Sequence, residues 1–345
     1  MTSTARPWNE QAARELVEDA LLSPSVHNTQ PWRFRMREDG IELRADRTRS
    51  LRVIDPHQQA LEVSCGAALM ALGLSCAVRL GRRPEVALLA GGPDPDAIAL
   101  VRPGSPEEPG VPLQHLHAQL AARHAYRGPF AADETRPDVL AEVRAAAATE
   151  GVELVYPDQP RTQAVVDLAR EAEFLWARDP AYREEIRRWT GGDVDGVPAR
   201  ACGSQDWTVP RRDFSLAGPR PRPAAASTPG TLTMLLTPGD STADRIRAGR
   251  GLLRAWLVAT AHGAAMTLLQ QAVERPYLRS LLPGAYASRG AVQAVLTLGT
   301  PLPEWAPANT PRRPVADVLD PAGRDVDVRT AAPRTGIPKE GAVSS

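Results

Sequence analysis

Asn28 and Gln30 lie close together in the stretch Ser23-Pro24-Ser25-Val26-His27-Asn28-Thr29-Gln30-Pro31-Trp32. An amide presents a donor and an acceptor side by side, which suits a heteroaromatic ring with both kinds of edge. The plainer reading is a turn in which asparagine satisfies its own backbone and His27 is exposed. Two amides this close, beside Pro31 and Trp32, favour binding. A second chemistry lies in the arginines. Arg123, His124 and Arg127 form one group, and Arg312 and Arg313 sit together in Thr310-Pro311-Arg312-Arg313-Pro314. A phosphomonoester carries nearly two charges and is held by guanidinium donors that converge on it. The bland alternatives are a solvated helix face and a surface pair between prolines, with His124 on the surface.

The only lysine is Lys339, in the tail; every other one of the 41 basic residues is arginine. A Schiff-base lysine or a phosphate-loop lysine is therefore nearly excluded. Any anion site must be built from arginine, which favours fixed, bidentate grips. His115 and His117 with His124 lack the cysteines or carboxylates that would complete a zinc site. There is no Gly-x-Ser-x-Gly elbow and no Gly-x-Gly-x-x-Gly fingerprint.

The elements that must position these residues follow from the pattern. The 345 residues are 43% apolar, enough for a real core, and the net charge is zero. Nothing points to nucleic acid or to an anionic membrane surface. Cys65, Cys76 and Cys202 are widely spaced, which fits a reducing cytoplasm. The N-terminus has no signal-peptide core, and the longest apolar run, 66–78, is too short to span a bilayer and reads as a buried helix. Asn9 caps a helix, Ser23-Pro24 ends it, and Trp32, Phe34 and Met36 alternate with arginines into a hairpin turning at Asp39-Gly40. Asp55-Pro56 predicts the start of a long buried helix that stops at Gly81. A strand is expected over 84–90, then a proline-rich loop over 93–112 with at most one short strand.

Further helices are expected at 113–120, 137–149, 161–189 with a break at Asp179-Pro180, 242–262 and 276–282. Strands are expected at 152–156, 232–236 and 292–298. The segment 191–230 is rich in glycine and proline, holds Trp207 and Phe214, and reads as a lid or linker. The tail after Thr330 reads as disordered. Gly66 and Gly81 bracket the first long helix much as Gly249 and Gly263 bracket the second, a faint internal echo.

The stretch 23–32 resembles the SPSxxNxQPW signature of the flavin-dependent nitroreductase superfamily. In that superfamily one subunit gives an arginine motif and closing basic residues to the FMN phosphate, and the other gives the Pro-Ser turn. Here the first half has Pro24, Ser25, Asn28, Gln30 and Trp32 without an arginine motif. The second half has Arg123, His124 and Arg127, and later Arg312 and Arg313, without the turn. One complete set exists if the halves pack as a pseudo-dimer. This resembles the Acg family, internally duplicated members whose FMN lies under a lid, over roughly residues 8 to 320. The resemblance places Gln270, with Gln271 and Glu274, near the ring, and Asn28 and Gln30 on the ribityl chain or polar ring edge.

The resulting expectation is an α+β fold of two fused nitroreductase-like repeats, with mainly antiparallel sheets around long central helices. Residues 1–111 form the first half, 112–330 the second with the lid at 191–230, and 331–345 the tail. The resemblance implies a cytoplasmic FMN oxidoreductase, hydride passing from NAD(P)H to flavin and on to a nitroaromatic, quinone or similar acceptor. The flavin carries the chemistry, so no catalytic acid, base or metal is named. The chain is expected to be a monomeric pseudo-dimer or weak homodimer. The rival is a lid-sealed FMN-binding or storage protein with little reductase activity.

Overall fold

The structure is a computed structural model; it describes residues 7–198, 210, 212–214, 227–228, 230–282, 290–303 and 310–321. Trp207, most of the expected lid and the tail expected at 331–345 lie outside the described residues. The chain begins with α1 (Glu10–Ala20), where the Asn9 side chain accepts the Ala12 N–H at 2.9 Å. Its inner face buries Ala12, Ala13, Leu16 and Val17. β1 (Trp32–Arg37) and β2 (Gly40–Ala45) form the hairpin, with Trp32 opposite Ala45 and Phe34 opposite Leu43. Trp32 and Phe34 point into the core, while Arg33 and Arg35 pair outside with Asp46 and Asp320. Period-two alternation thus sets the hairpin's register.

α2 (Gln59–Leu80) follows, with Gly81 closing it in a left-handed C-cap at φ 60°. It starts later than Asp55-Pro56 predicts, because Gln58 is left-handed at φ 58°. Asp55 still acts on the helix end, accepting N–H bonds from Ala60 and Leu61. α2 is long and apolar enough to cross a membrane, yet it is buried among α1, the later helices and the first sheet. β3 (Arg82–Leu88) pairs with β4 (Ala97–Pro106), a ten-residue strand where mainly loop was expected.

The second part runs α3 (Val111–Ala122), β5 (Phe130–Ala131), α4 (Pro137–Ala148), β6 (Glu153–Val155), α5 (Gln159–Ala177) and α6 (Pro180–Arg188). It continues with β7 (Ser227–Thr228), β8 (Thr231–Thr237), α7 (Thr242–Ala261), β9 (Ala265–Leu268), α8 (Pro276–Leu281) and β10 (Ala291–Gly299). α9 (Val315–Val318) and β11 (Leu319–Asp320) end the described chain. Asp179 caps α6 by accepting the Ala181 and Tyr182 N–H groups, which breaks the helical run where Asp-Pro predicts.

The two main sheets share one plan. Their strand orders are β11-β1-β2-β4-β3 and β6-β8-β10-β9. The paths α1-β1-β2-α2-β3-β4 and α4-β6-β8-α7-β9-β10 trace the same helix–strand–strand–helix–strand–strand course once α5, α6 and β7, inserted between β6 and β8, are set aside, and every pair within each four-strand set is antiparallel. β11 returns from the chain's end to lie parallel to β1, Leu319 beside Phe34. α2 and α7 cross at Gly66 and Gly249. A Cβ on Gly249 would lie 1.9 Å from the Val63 carbonyl oxygen, and one on Gly66 would lie 2.1 Å from that of Ile246. Only glycine permits this approach of two backbones.

Candidate functional site

The turn between α1 and β1 is backbone under strain. His27, Asn28 and Gln30 take φ of 46°, 54° and 48°, a left-handed region that side chains other than glycine rarely adopt. Such strain persists only where surroundings over-determine it. Within the turn, Ser25 Oγ accepts the Gln30 N–H at 3.0 Å, and Ser64 Oγ on α2 accepts the Val26 N–H at 3.1 Å. From outside, two other segments hold it. A short loop at 189–197, closed by a parallel bridge between Thr190 and Val197, docks on one side and the segment 310–313 on the other.

A cleft opens beside this turn, with about 1270 Å³ of empty space including its mouth. Pro24, Ser25, His27 and Asn28 line it from the turn. Ala60, Val63 and Ala67 of α2, Leu252 and Trp256 of α7, and Leu268 of β9 give it an apolar wall. Arg123, Arg127, Arg212 and Arg312 reach it, with one carboxylate, Glu274.

Arg123 and Arg312 are the unusual pair. Arg123 is 3% exposed, donates to the Leu22 carbonyl at 3.0 Å and lies 4.8 Å over the Trp256 ring. Arg312 also reaches the Leu22 carbonyl, at 3.5 Å, and donates to Asn28 Oδ1 at 3.2 Å. Neither ion-pairs with a carboxylate among the described residues, and the Nε of each is buried without a hydrogen-bond partner. Burial, with Arg312 beside it, pushes Arg123 down to about 9, and burial pushes Arg312 down to about 10. Two like charges thus face one carbonyl with no counter-ion among the described residues, which leaves this end of the cleft cationic.

The far side of the cleft is different. Arg212 pairs with Glu274 and meets the His27 ring nitrogen Nε2 at 2.7 Å. Phe214 stands edge-on to His27, centroids 5.0 Å apart, and lies 5.2 Å beneath Arg127. Burial first, then Arg212 and Arg127, hold His27 well below its ordinary pKa, so the ring is neutral. Burial pushes the Glu274 carboxyl up, against the pull of Arg212.

Of the residues singled out in the sequence, the fold brings Pro24, Ser25, Asn28, Arg123, Arg127, Gln270 and Arg312 into this one cleft. Gln30, His124 and Arg313 are not in its lining. Arg313 points the other way, donating to the Asp317 carbonyl at 3.1 Å and lying 3.7 Å from Asp46, because neighbours on extended chain face opposite sides. His124 is half-buried, and burial with Arg123 and Arg312 lowers its pKa. Gln30 is fully buried with both ends of its amide engaged. Nε2 donates to the Val194 carbonyl at 3.0 Å and Oε1 accepts the Arg313 N–H at 2.8 Å. Asn28 Nδ2 donates to the Gly196 and Pro311 carbonyls. Both amides thus bond protein atoms, while Asn28 also lines the cleft. His27, for which exposure was the plainer alternative, is buried. Arg212 and Trp256 were missed; no local signal marks them, since they reach the cleft only through the fold.

Comparison with known proteins gives relatives along nearly the whole chain. The protein named "Putative NAD(P)H nitroreductase Rv3131" of Mycobacterium tuberculosis is 30% identical over 329 residues, 90% of this chain and 91% of the relative. "Uncharacterized protein Rv3127" of the same organism is 31% identical over 319 residues, 87% and 90% of the two chains. "Putative NAD(P)H nitroreductase acg", also from M. tuberculosis, is 27% identical over 321 residues, 90% and 96%. Among solved structures, the FMN-dependent nitroreductase NfnB of Mycobacterium smegmatis aligns at TM-score 0.36 and 16% identity, over 59% of this chain and 96% of its own. A nitroreductase-like chain from Anabaena variabilis aligns at TM-score 0.41 and 14% identity, over 86% and 74%. No family model matches the chain.

Proposed function

The chain belongs to the nitroreductase family that includes Acg, and on that premise we propose that it is an FMN oxidoreductase taking hydride from NAD(P)H for a small nitroaromatic, quinone or similar acceptor. The observation that carries this reading is the pairing of the buried Arg123 with the half-buried Arg312, cationic and without a carboxylate partner among the described residues. A phosphomonoester with nearly two negative charges fits that pair. Arg127 adds a third guanidinium to the cleft, and Val63, Ala67, Leu252 and Leu268 offer an apolar wall to a flat ring. Bound FMN supplies the redox chemistry, accepting and passing on a hydride. The chain's own residues grip the phosphate, orient the ring and exclude water. No acid, base or metal is assigned.

The repeated strand order, the α2–α7 crossing and the return of β11 to β1 support two fused repeats, 1–111 and 112–330, acting as a pseudo-dimer. The helix-to-strand junction of the second repeat, 149–152, offers no matching turn. Glu150 there ion-pairs with Arg250 at 2.7 Å and Arg254 at 2.9 Å. One flavin per chain, held by a monomer, follows from this reading.

A second reading has its own observation: Arg212 and Phe214, from the segment expected to be a lid, lie buried in the cleft. A flavin covered this way is stored, not turned over. Reconstitution with FMN, denaturation and quantification should give one FMN per chain, and NAD(P)H should bleach it anaerobically. A protein that takes up no FMN ends the proposal. FMN that binds but resists bleaching moves it to the storage reading.

A further inference from the structure

Asn28 and Gln30 are engaged at both ends, and their partners repeat a pattern. Each amide donates to the 189–197 loop: Asn28 Nδ2 to Gly196 O at 2.9 Å, Gln30 Nε2 to Val194 O at 3.0 Å. Each oxygen accepts from the returning segment: Asn28 Oδ1 from Arg312 at 3.2 Å, Gln30 Oε1 from the Arg313 N–H at 2.8 Å. Asn28 also donates to Pro311 O at 3.1 Å, and its own carbonyl accepts the Gly196 N–H at 3.2 Å. The loop is closed on itself by a parallel bridge between Thr190 and Val197, with Gly191 N–H to Val197 O and Val197 N–H to Trp189 O each 2.8 Å. It is tied down a second time where Asp195 pairs with Arg49, which also donates to the Thr29 carbonyl. The turn between these partners holds three left-handed residues, a strain that persists where surroundings over-determine it.

We infer that Asn28 and Gln30 are positioning residues that couple docking of the 189–197 loop to placement of Arg312 in the cleft. The loop has no atom in the cleft lining, yet its release frees the amides and lets the strained turn relax. Arg312, which also donates to Thr310 Oγ1 and to the Thr310 and Pro311 carbonyls, then loses the one acceptor that ties it to the turn, and the Arg313 N–H loses its acceptor. The meaning of Arg312 as a phosphate ligand rests on the flavin reading above; the coupling itself does not.

The test perturbs the loop where it is remote from the cleft. Asp195→Ala removes the tie to Arg49 and touches none of the cleft residues. In the flavin-free protein, amide hydrogen exchange is followed for the peptides that contain Gly196-Val197 and Arg312-Arg313. Coupling predicts that both accelerate together, by about three- to tenfold. Acceleration confined to the loop, or none at either place, overturns it. Should Asp195→Ala fail to fold, Asp195→Asn replaces it under the same criteria. A second readout is the ratio of FMN to riboflavin affinity. It should fall in Asp195→Ala about as much as exchange rises, because only the phosphate depends on Arg312. A merely structural role for the loop would weaken both ligands alike and leave the ratio unmoved. If no flavin binds the wild type, the flavin reading fails while the exchange result still decides the coupling.

Discussion

Replacing Arg123 with methionine should move stability and affinity in opposite directions. The side chain is 3% exposed and lacks a carboxylate partner among the described residues. Holding its guanidinium at about 9, where 12.5 is ordinary, costs on the order of 5 kcal/mol of charge burial. Methionine keeps much of the volume and removes the charge. It forfeits the hydrogen bond to Leu22 and the contact over Trp256, together worth about 2–4 kcal/mol. The flavin-free variant should therefore be more stable by about 1–3 kcal/mol, a rise in Tm of roughly 2–6 °C. With FMN this gain is offset. A lost hydrogen bond to a charged group weakens FMN by roughly ten- to a hundredfold. At saturating ligand that removes about 1.4–2.7 kcal/mol of linked stabilisation. Riboflavin, with no phosphate, should bind the variant nearly as well as the wild type. Thermal melts with and without each ligand, and titration by flavin fluorescence, measure all of these quantities. A variant that is less stable without flavin, or that loses FMN and riboflavin equally, would refute the reasoning that Arg123 is an anion ligand held at a cost.

Three further outcomes are expected. FMN affinity should fall as pH drops through about 6, where a phosphomonoester takes up its second proton; riboflavin affinity followed across the same range should stay flat, and a parallel fall would place the titrating group in the protein. Asp19 is buried, but hydrogen bonds from His117, Arg79 and Ser75 outweigh burial and hold its carboxyl far below the usual range. Its contribution to stability is complete above the unfolded value near 3.9 and is lost as pH falls below it, so Asp19→Asn should flatten the acid limb of a urea-melt series. Gly249→Ala forces the α2–α7 crossing apart and should cost about 3 kcal/mol or more by urea melts, with Gly66→Ala similar; a cost under about 1 kcal/mol would mean the helices yield freely.

Local signals made much of this fold legible. Asn9, Asp179-Pro180 and the Trp32–Phe34 alternation each act over a few residues, and each sits where its chemistry predicts. β4 was harder to read, because its prolines argue against a strand. Pro103 and Pro106 lie beyond the part of β4 that pairs on both sides, bonded only toward β3 where a missing N–H is tolerated. The start of α2 was misplaced because Asp55 bonds the helix end across a left-handed Gln58. At the site, residue type identified the arginines but not their direction. Arg312 and Arg313 are neighbours with opposite fates, one in the cleft and one against Asp46. The amides of Asn28 and Gln30 were legible as important, but the protein partners they hold were not. Their partners lie more than 160 residues away along the chain.

The repeated strand order carries a consequence for how such a chain can change. In a symmetric dimer each substitution appears twice and must suit both copies of a site. On the reading of two fused repeats proposed above, the halves of one chain answer to different demands. The first repeat keeps a strained turn, while at the same junction the second has room for Glu150 and its two arginines. Mutations at 149–152 are therefore judged on packing alone, and those at 23–32 on the cleft. A deep mutational scan should find two structurally matched junctions with unlike tolerances, which no pair of identical subunits could display.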